Sequence, residues 1–229
     1  MKYPEERMKT AILASQNKNK IRELSAILEK YGMKVVARDD TGLPTDDIEE
    51  TGTTFEENSY LKASIIMDMI KADPALSEYA GSPVIADDSG LMVDALGGEP
   101  GVYSARYAGE GCTYDDNNTK LLAALKGVAG EDRTAKFVTV ITMIWPDAND
   151  APPCAEKQDT GSGARFILTA RGECKGRIID TKRGDKGFGY DPVFVPDGYD
   201  NTFAELGPEV KNVIGHRARA LEELEKKLG

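Results

Sequence analysis

The sequence predicts an α/β protein: a two-lobed mixed β-sheet flanked by helices, with a ligand cleft between the lobes. Three observations predict it. Apolar runs of strand length alternate with amphipathic helical segments early in the chain. β-rich segments crowd together after residue 134, in the manner of hairpins. The apolar run Pro83-Val84-Ile85-Ala86 stops at two acidic residues, Asp87 and Asp88, then Ser89-Gly90, as a buried strand does when its end opens on a site. Ligands of such folds lie in crevices near strand ends.

The elements follow in order. Thr10 to Ala14 reads as a strand, broken by Ser15-Gln16-Asn17. Lys18 to Lys30 carries Ile21, Leu24, Ile27 and Leu28 at helical spacing. Val35-Val36-Ala37 reads as a second strand, and residues 38–53 as an acidic loop. Thr53 or Thr54 caps a helix from about Phe55 to Lys71, with Glu56 or Glu57 closing a capping box. Residues 96–113 form a long ordered loop, and a helix covers Asp115 to Lys126. Strands are expected over 134–145, 166–171 and 174–180, with an exposed, mobile insertion over 146–163, crowded with Pro, Asp, Ala and Gly. Ala218, Leu221, Leu224 and Leu228 mark the buried stripe of a last helix, His216 to Leu228. Residues 1–7 read as an extension, and 8–229 as one two-lobed domain.

Bulk composition narrows the function. With 40% hydrophobic residues among 229, a full core is available. A formal charge of −10 argues against a nucleic-acid polymer as partner, yet leaves room for a small polyanion held by local cations and a metal. Cys112, Cys154 and Cys174 show no CxxC spacing and no even pairing, which fits a reducing compartment. No apolar stretch spans a bilayer and the charged start, Met1 to Lys9, has no signal-peptide core, so the expectation is a cytoplasmic protein without membrane partners.

Several groups can do chemistry. Ser15, Gln16, Asn17, Lys18, Asn19 and Lys20 link a strand to a helix N-terminus, a natural phosphate seat, although Asn17 as a plain cap and solvated lysines read equally well. Glu49, Glu50, Asp87 and Asp88 are oxygen ligands suited to magnesium, or ordinary surface acids. Gly187-Phe188-Gly189-Tyr190-Asp191-Pro192 sets two rings among glycines, either to stack on a base or to fill core. Lys211, His216 and Arg217 cluster donors that favour a base with a carbonyl at position 6.

Taken in order, Ser15 to Leu24, Glu50-Thr51-Gly52, Phe55 to Asn58 with Lys62-Ala63, Ala86 to Leu91, Gly101 to Tyr107, Gly187 to Pro192 and His216-Arg217 closely resemble the inosine triphosphate pyrophosphatase family, from about Met8 to the end of the chain. The resemblance implies hydrolysis of ITP, dITP or XTP to the monophosphate and pyrophosphate, with Mg2+, in a homodimer. It also implies roles: Ser15 to Lys20 on phosphates, Asp88 as general base and metal ligand, Ser89 on substrate, Glu49 as the other metal ligand (Glu50 in an alternative alignment). It gives Phe188, Gly189, Tyr190 and Asp191 to the nucleoside, with Phe188 stacking, and Lys211, His216 and Arg217 to the base edge.

Three features depart from the family pattern: Gly215 where Ser commonly precedes His-Arg, the extension 1–7, and the long insertion 146–163. Competing readings are a pyrophosphatase for other damaged nucleotides, such as modified pyrimidine triphosphates, and a nucleotide-binding regulator without catalysis. A glycosidase using paired carboxylates is disfavoured by the single Trp.

Overall fold

Thirteen elements follow one another in a computed structural model that describes residues 8–15, 18–44, 46, 48–161 and 163–229, the side chains of Lys18, Asn19, Lys20 and Glu23 excepted. They are β1 (Lys9–Leu13), α1 (Lys18–Leu28), β2 (Met33–Ala37), α2 (Phe55–Ala72), β3 (Val84–Val93), α3 (Tyr114–Ala124), β4 (Thr134–Trp145), β5 (Glu156–Thr160), β6 (Gly163–Ile178), β7 (Phe194–Pro196), α4 (Phe203–Leu206), α5 (Pro208–Ile214) and α6 (His216–Leu228). The strands make one mixed sheet in the order β2-β1-β3-β4-β6-β5, with β7 also on β6. β1 pairs in parallel with β2 and β3, as the intervening helices α1 and α2 require, whereas β5 and β7 pair antiparallel with β6. The mixed, helix-flanked sheet predicted from the alternation of runs is the one found.

The chain divides into two compact units, Met1–Asp88 with Val140–Ala170 and Leu221–Gly229, and Ser89–Thr139 with Arg171–Ala220. In the first, Ile12, Val84, Ala86 and Ile144 of the sheet meet Ala63, Ile66, Met67 and Ile70 of α2. Parallel central strands are covered on both faces, so β1 and β3 lack the alternation of half-exposed strands. α2 starts where predicted: Thr54 Oγ1 accepts from Glu57 N at 3.1 Å and Glu57 Oε2 accepts from Thr54 N at 3.2 Å. The second unit is built around Phe137, Phe194 and Phe203, with Leu91, Leu121, Leu125 and Tyr190 packed on them. Phe137 and Phe194 meet edge to face at 4.8 Å, and Phe194 and Phe203 stack at 5.4 Å.

Three local expectations are corrected. The acidic pair does not end a strand, because β3 runs on through Asp87-Asp88-Ser89-Gly90 to Val93. The two late strands are one 16-residue strand, β6. Gly172, inside that strand, admits α6: a Cβ there would lie 2.1 Å from the Ala220 nitrogen and 2.2 Å from the His216 carbonyl oxygen. The stretch 146–163 contains β5, whose exposed residues Glu156 to Asp159 put charge on a sheet edge.

Two consequences can be measured. Gly172→Ala must push α6 off β6, and is expected to cost about 2 kcal/mol or more in urea unfolding. Cys174 is 1% exposed, and burial pushes its thiol from 9.0 up to about 11. The folded form resists ionisation, so this contribution to stability is whole below pH 9 and lost as pH rises towards about 11. Cys174→Ala is expected to flatten that part of the alkaline limb of a stability–pH profile, and exposed Cys154 to react with a thiol reagent well before Cys174.

Candidate active site

Two groups of side chains stand out, one in each unit. In the first unit, the parallel register of β1 with β3 pairs Leu13 with Ile85. Continued by two residues, it brings Ser15 alongside Asp87. The strand end that precedes α1 therefore lies beside the acidic pair. Asp87 and Asp88 are buried, 6% and 8% exposed, which is not how surface acids sit.

Burial of a carboxylate demands donors, and α2 supplies them from one face. Lys62 Nζ donates to Asp88 Oδ1 at 3.2 Å and to Glu50 Oε1 at 3.1 Å. Asn58, one turn earlier, donates from Nδ2 to Asp88 Oδ2 at 3.3 Å, while its Oδ1 accepts from Gly52 N at 2.8 Å. Asn58 and Lys62 thus hold both oxygens of Asp88 and tie them to the loop carrying Glu50. Gly52 permits this approach, since a Cβ would lie 2.6 Å from Asn58 Oδ1.

Electrostatics follow the geometry. Burial pushes the Asp88 carboxyl above its ordinary 3.8; Lys62 opposes the push and Glu50 reinforces it. Burial presses Lys62 down, but Asp88, Glu50 and Asp87 together outweigh it and hold the ammonium above 10.5. A carboxylate whose affinity for a proton is raised is, in its ionised form, a better proton acceptor than a solvated one.

In the second unit a cavity is lined by Ser89, Tyr114, Phe188, Lys211, His216 and Arg217 among others. Phe188 is 50% exposed, so its ring is not core filler. Its backbone N donates to Asp191 Oδ2 at 3.0 Å, and Lys211 Nζ lies 4.3 Å from the ring centroid. Lys211 Nζ also donates to both oxygens of the fully buried Asp191, at 2.6 and 2.7 Å. Gly187, with φ +82°, lets the loop close over that carboxylate: a Cβ would lie 2.3 Å from Asp191 Oδ2. Burial presses Lys211 below its ordinary 10.5, with Asp191 opposing. His216 stacks on Phe137 at 4.8 Å and 16°. Tyr190 is buried, its hydroxyl donating to the Ser104 carbonyl at 2.9 Å, and it serves as a wall. Ser89 shares a hydrogen bond with Thr139 at 2.8 Å.

The residues singled out in the sequence thus fall into two sets. Asp88 with Ser15 belongs to the first unit, and Ser89, Phe188, Gly189, Tyr190, Asp191, Lys211, His216 and Arg217 to the second. Gln16 and Asn17 lie outside the described residues; Lys18, Asn19 and Lys20 open α1, and their side chains lie outside the description. Of the two loop acids, Glu50 is tied to Asp88 through Lys62, whereas Glu49 is exposed. Sequence reasoning passed over Asn58, Lys62, Tyr114, Asn117 and Asn118 as site residues. The adjacent amides Asn117-Asn118 inside a helix were the available signal, because such residues favour caps unless a specific hydrogen bond holds them.

The Lys211–Asp191 pair yields a test. Lys211→Met strands a fully buried carboxylate and is expected to cost about 3 kcal/mol in denaturant unfolding. Adding Asp191→Asn, which keeps an acceptor for Phe188 N, is expected to recover at least half of that loss.

Comparison with known proteins adds an independent line. A model of the Ham1 family matches residues 11–227. A dITP/XTP pyrophosphatase of Oceanobacillus iheyensis is 42% identical over 219 residues, 96% of this chain and 98% of that protein. One from Bacillus licheniformis is 45% identical over 217 residues, 95% and 96% of the two chains. The solved Ham1 protein of Staphylococcus aureus superposes with a TM-score of 0.76 at 39% identity, covering 95% of this chain and 97% of its own.

Proposed function

The chain belongs to the Ham1 family, and from that premise we propose that it hydrolyses non-canonical purine nucleoside triphosphates (ITP, dITP and XTP) to the monophosphate and pyrophosphate. The observation that carries the reading is the buried Asp88, held at both oxygens by Lys62 and Asn58 and followed directly by cavity-lining Ser89.

Asp88 is the base. It takes a proton from water, the water oxygen bonds to the α-phosphorus, and the bond from that phosphorus to the bridging oxygen breaks. The electron pair leaves with pyrophosphate. Lys62, held above its ordinary range, keeps a positive charge beside the developing anion. Ser15 and the start of α1, with Gln16 to Lys20, seat phosphates. Phe188 stacks on the base. Gly189, Tyr190 and Asp191 shape the nucleoside pocket, while Lys211, His216 and Arg217 donate to the base edge, favouring a 6-oxo group over a 6-amino group.

The donor set suits a hard divalent cation. Glu50 and Asp88 both aim carboxylate oxygens at one ammonium. Among the described residues no three His, Cys, Asp or Glu side chains form a cage of their own. Magnesium needs only one or two carboxylates when substrate phosphates and waters complete its shell. Asp88 with Glu50, or Glu49 of the same loop, would hold it, and bound there it would neutralise charge on the departing phosphates. The reading includes a cytoplasmic homodimer; none of the described helices is long and apolar enough to cross a membrane.

The purified chain with Mg2+ is expected to convert ITP to IMP plus pyrophosphate, with far slower turnover of ATP and GTP. Chelation of the metal should stop it. Asp88→Asn should lower kcat by about 100-fold or more and leave ITP binding largely intact. Release of orthophosphate, or full activity in Asp88→Asn, would rule the mechanism out.

A further inference from the structure

Resting on that reading, we infer that Tyr114 is a second aromatic contact for the base, set against Phe188 by the carboxamide of Asn118. Five large hydrophobic side chains are described as exposed: Tyr103, Tyr114, Phe188, Tyr199 and Val213. Tyr114 and Phe188 are the two of these that line the cavity of the second unit. Their exposures are 56% and 50%, and their centroids lie 6.2 Å apart at a tilt of 42°. Lys211 lies over the Phe188 ring at 4.3 Å, so that ring is flanked by a cation and by a second ring. Two tilted rings make an apolar mouth in which a flat base seated on one meets the other, an arrangement suited to a purine and of no use to a phosphate chain.

The position of Tyr114 is fixed through its backbone. It is the first residue of α3, whose start is locked by a capping box: Thr113 Oγ1 accepts from Asp116 N at 3.2 Å, and Asp116 Oδ2 accepts from Thr113 N at 2.9 Å. One turn on, Asn118 Nδ2 donates to the carbonyl of Tyr114 at 2.8 Å and to the carbonyl of Gly189 at 2.8 Å. A single amide, 2% exposed, therefore holds the backbone at one ring and beside the other. Gly189 turns with φ +64°, and Asp191 holds the N–H of Phe188, so the loop is pinned on both sides of its ring. Asn118 is a positioning residue: it fixes the gap, and the rings make the contact. The backbone that carries the two rings is set before a ligand arrives, which spares the cost of ordering that backbone on binding.

Tyr114 projects from the surface, so its removal leaves the fold in place. With metal chelated so that no turnover occurs, ITP binding by calorimetry is expected to weaken about tenfold in Tyr114→Ala, and by no more than about twofold in Tyr114→Phe. Inorganic tripolyphosphate, which lacks a base, is expected to bind the parent and both variants alike. Unchanged ITP affinity in Tyr114→Ala overturns the inference, and so does an equal loss for tripolyphosphate, since either result takes the ring off the base. A parent protein that binds no purine nucleotide overturns the proposed function, and this inference with it.

Discussion

A carboxylate buried in the middle of a strand needs donors aimed at it, and in this protein that requirement organises the first unit. Removing an ionised group from water costs several kcal/mol unless hydrogen bonds and charge replace the lost solvent. β3 runs through Asp88 without interruption, so the compensation has to come from another element. α2 provides it with Lys62 and Asn58 on one face, and the same two side chains reach Glu50 and Gly52. The helix is therefore a ruler between the acidic loop and the strand. Its length, its capping box at Thr54 and its apolar packing on β1 and β3 all serve to hold that ruler still.

The second unit meets the same difficulty with the same means. Asp191 is fully buried, and a single ammonium, Lys211, satisfies both of its oxygens. The pair does more than cancel charge. Asp191 fixes the N–H of Phe188, and Lys211 sits over its ring, so an ion pair holds an aromatic side chain half out of the core. A phenylalanine left to itself would bury. Here charge keeps it on the cavity wall, where a ring is useful.

Much of this was legible in the sequence for identifiable reasons. The starts of α2 and α6, and the span of α1 to within a turn, followed from apolar spacing and cap residues, which are local. Phe188, Lys211, His216 and Arg217, singled out in the sequence by their glycines and clustered donors, line one cavity. The misses were long-range. Nothing near Asp87-Asp88 says that donors will come from thirty residues upstream, so a strand was cut short. The late strand was divided at 172–173, and the reason a glycine sits there, the backbone of α6 at Ala220, lies far along the chain. Tyr114 carried no local sign of function, because a tyrosine at the first position of a helix is ordinary until a second ring is found beside it.

Gly215 shows how a departure from a motif should be weighed. Where the resembling family commonly has serine, this chain has glycine, which suggests at first only a hydroxyl lost from the base pocket. The turn from α5 to α6 argues otherwise. It closes by a bond from Gly215 N to the Lys211 carbonyl at 2.8 Å, and a Cβ at 215 would lie 2.4 Å from that same oxygen. The contact is with backbone, so a side chain here opens the turn instead of simply adding a group to it. The residues this turn holds at fixed spacing are Lys211 before it and His216 and Arg217 after it, and all three line the cavity. Glycine therefore suits the close turn between the ammonium that carries Asp191 and the helix that presents the last two donors. At this position it is backbone, and no side chain of residue 215, that joins the donors of the pocket wall.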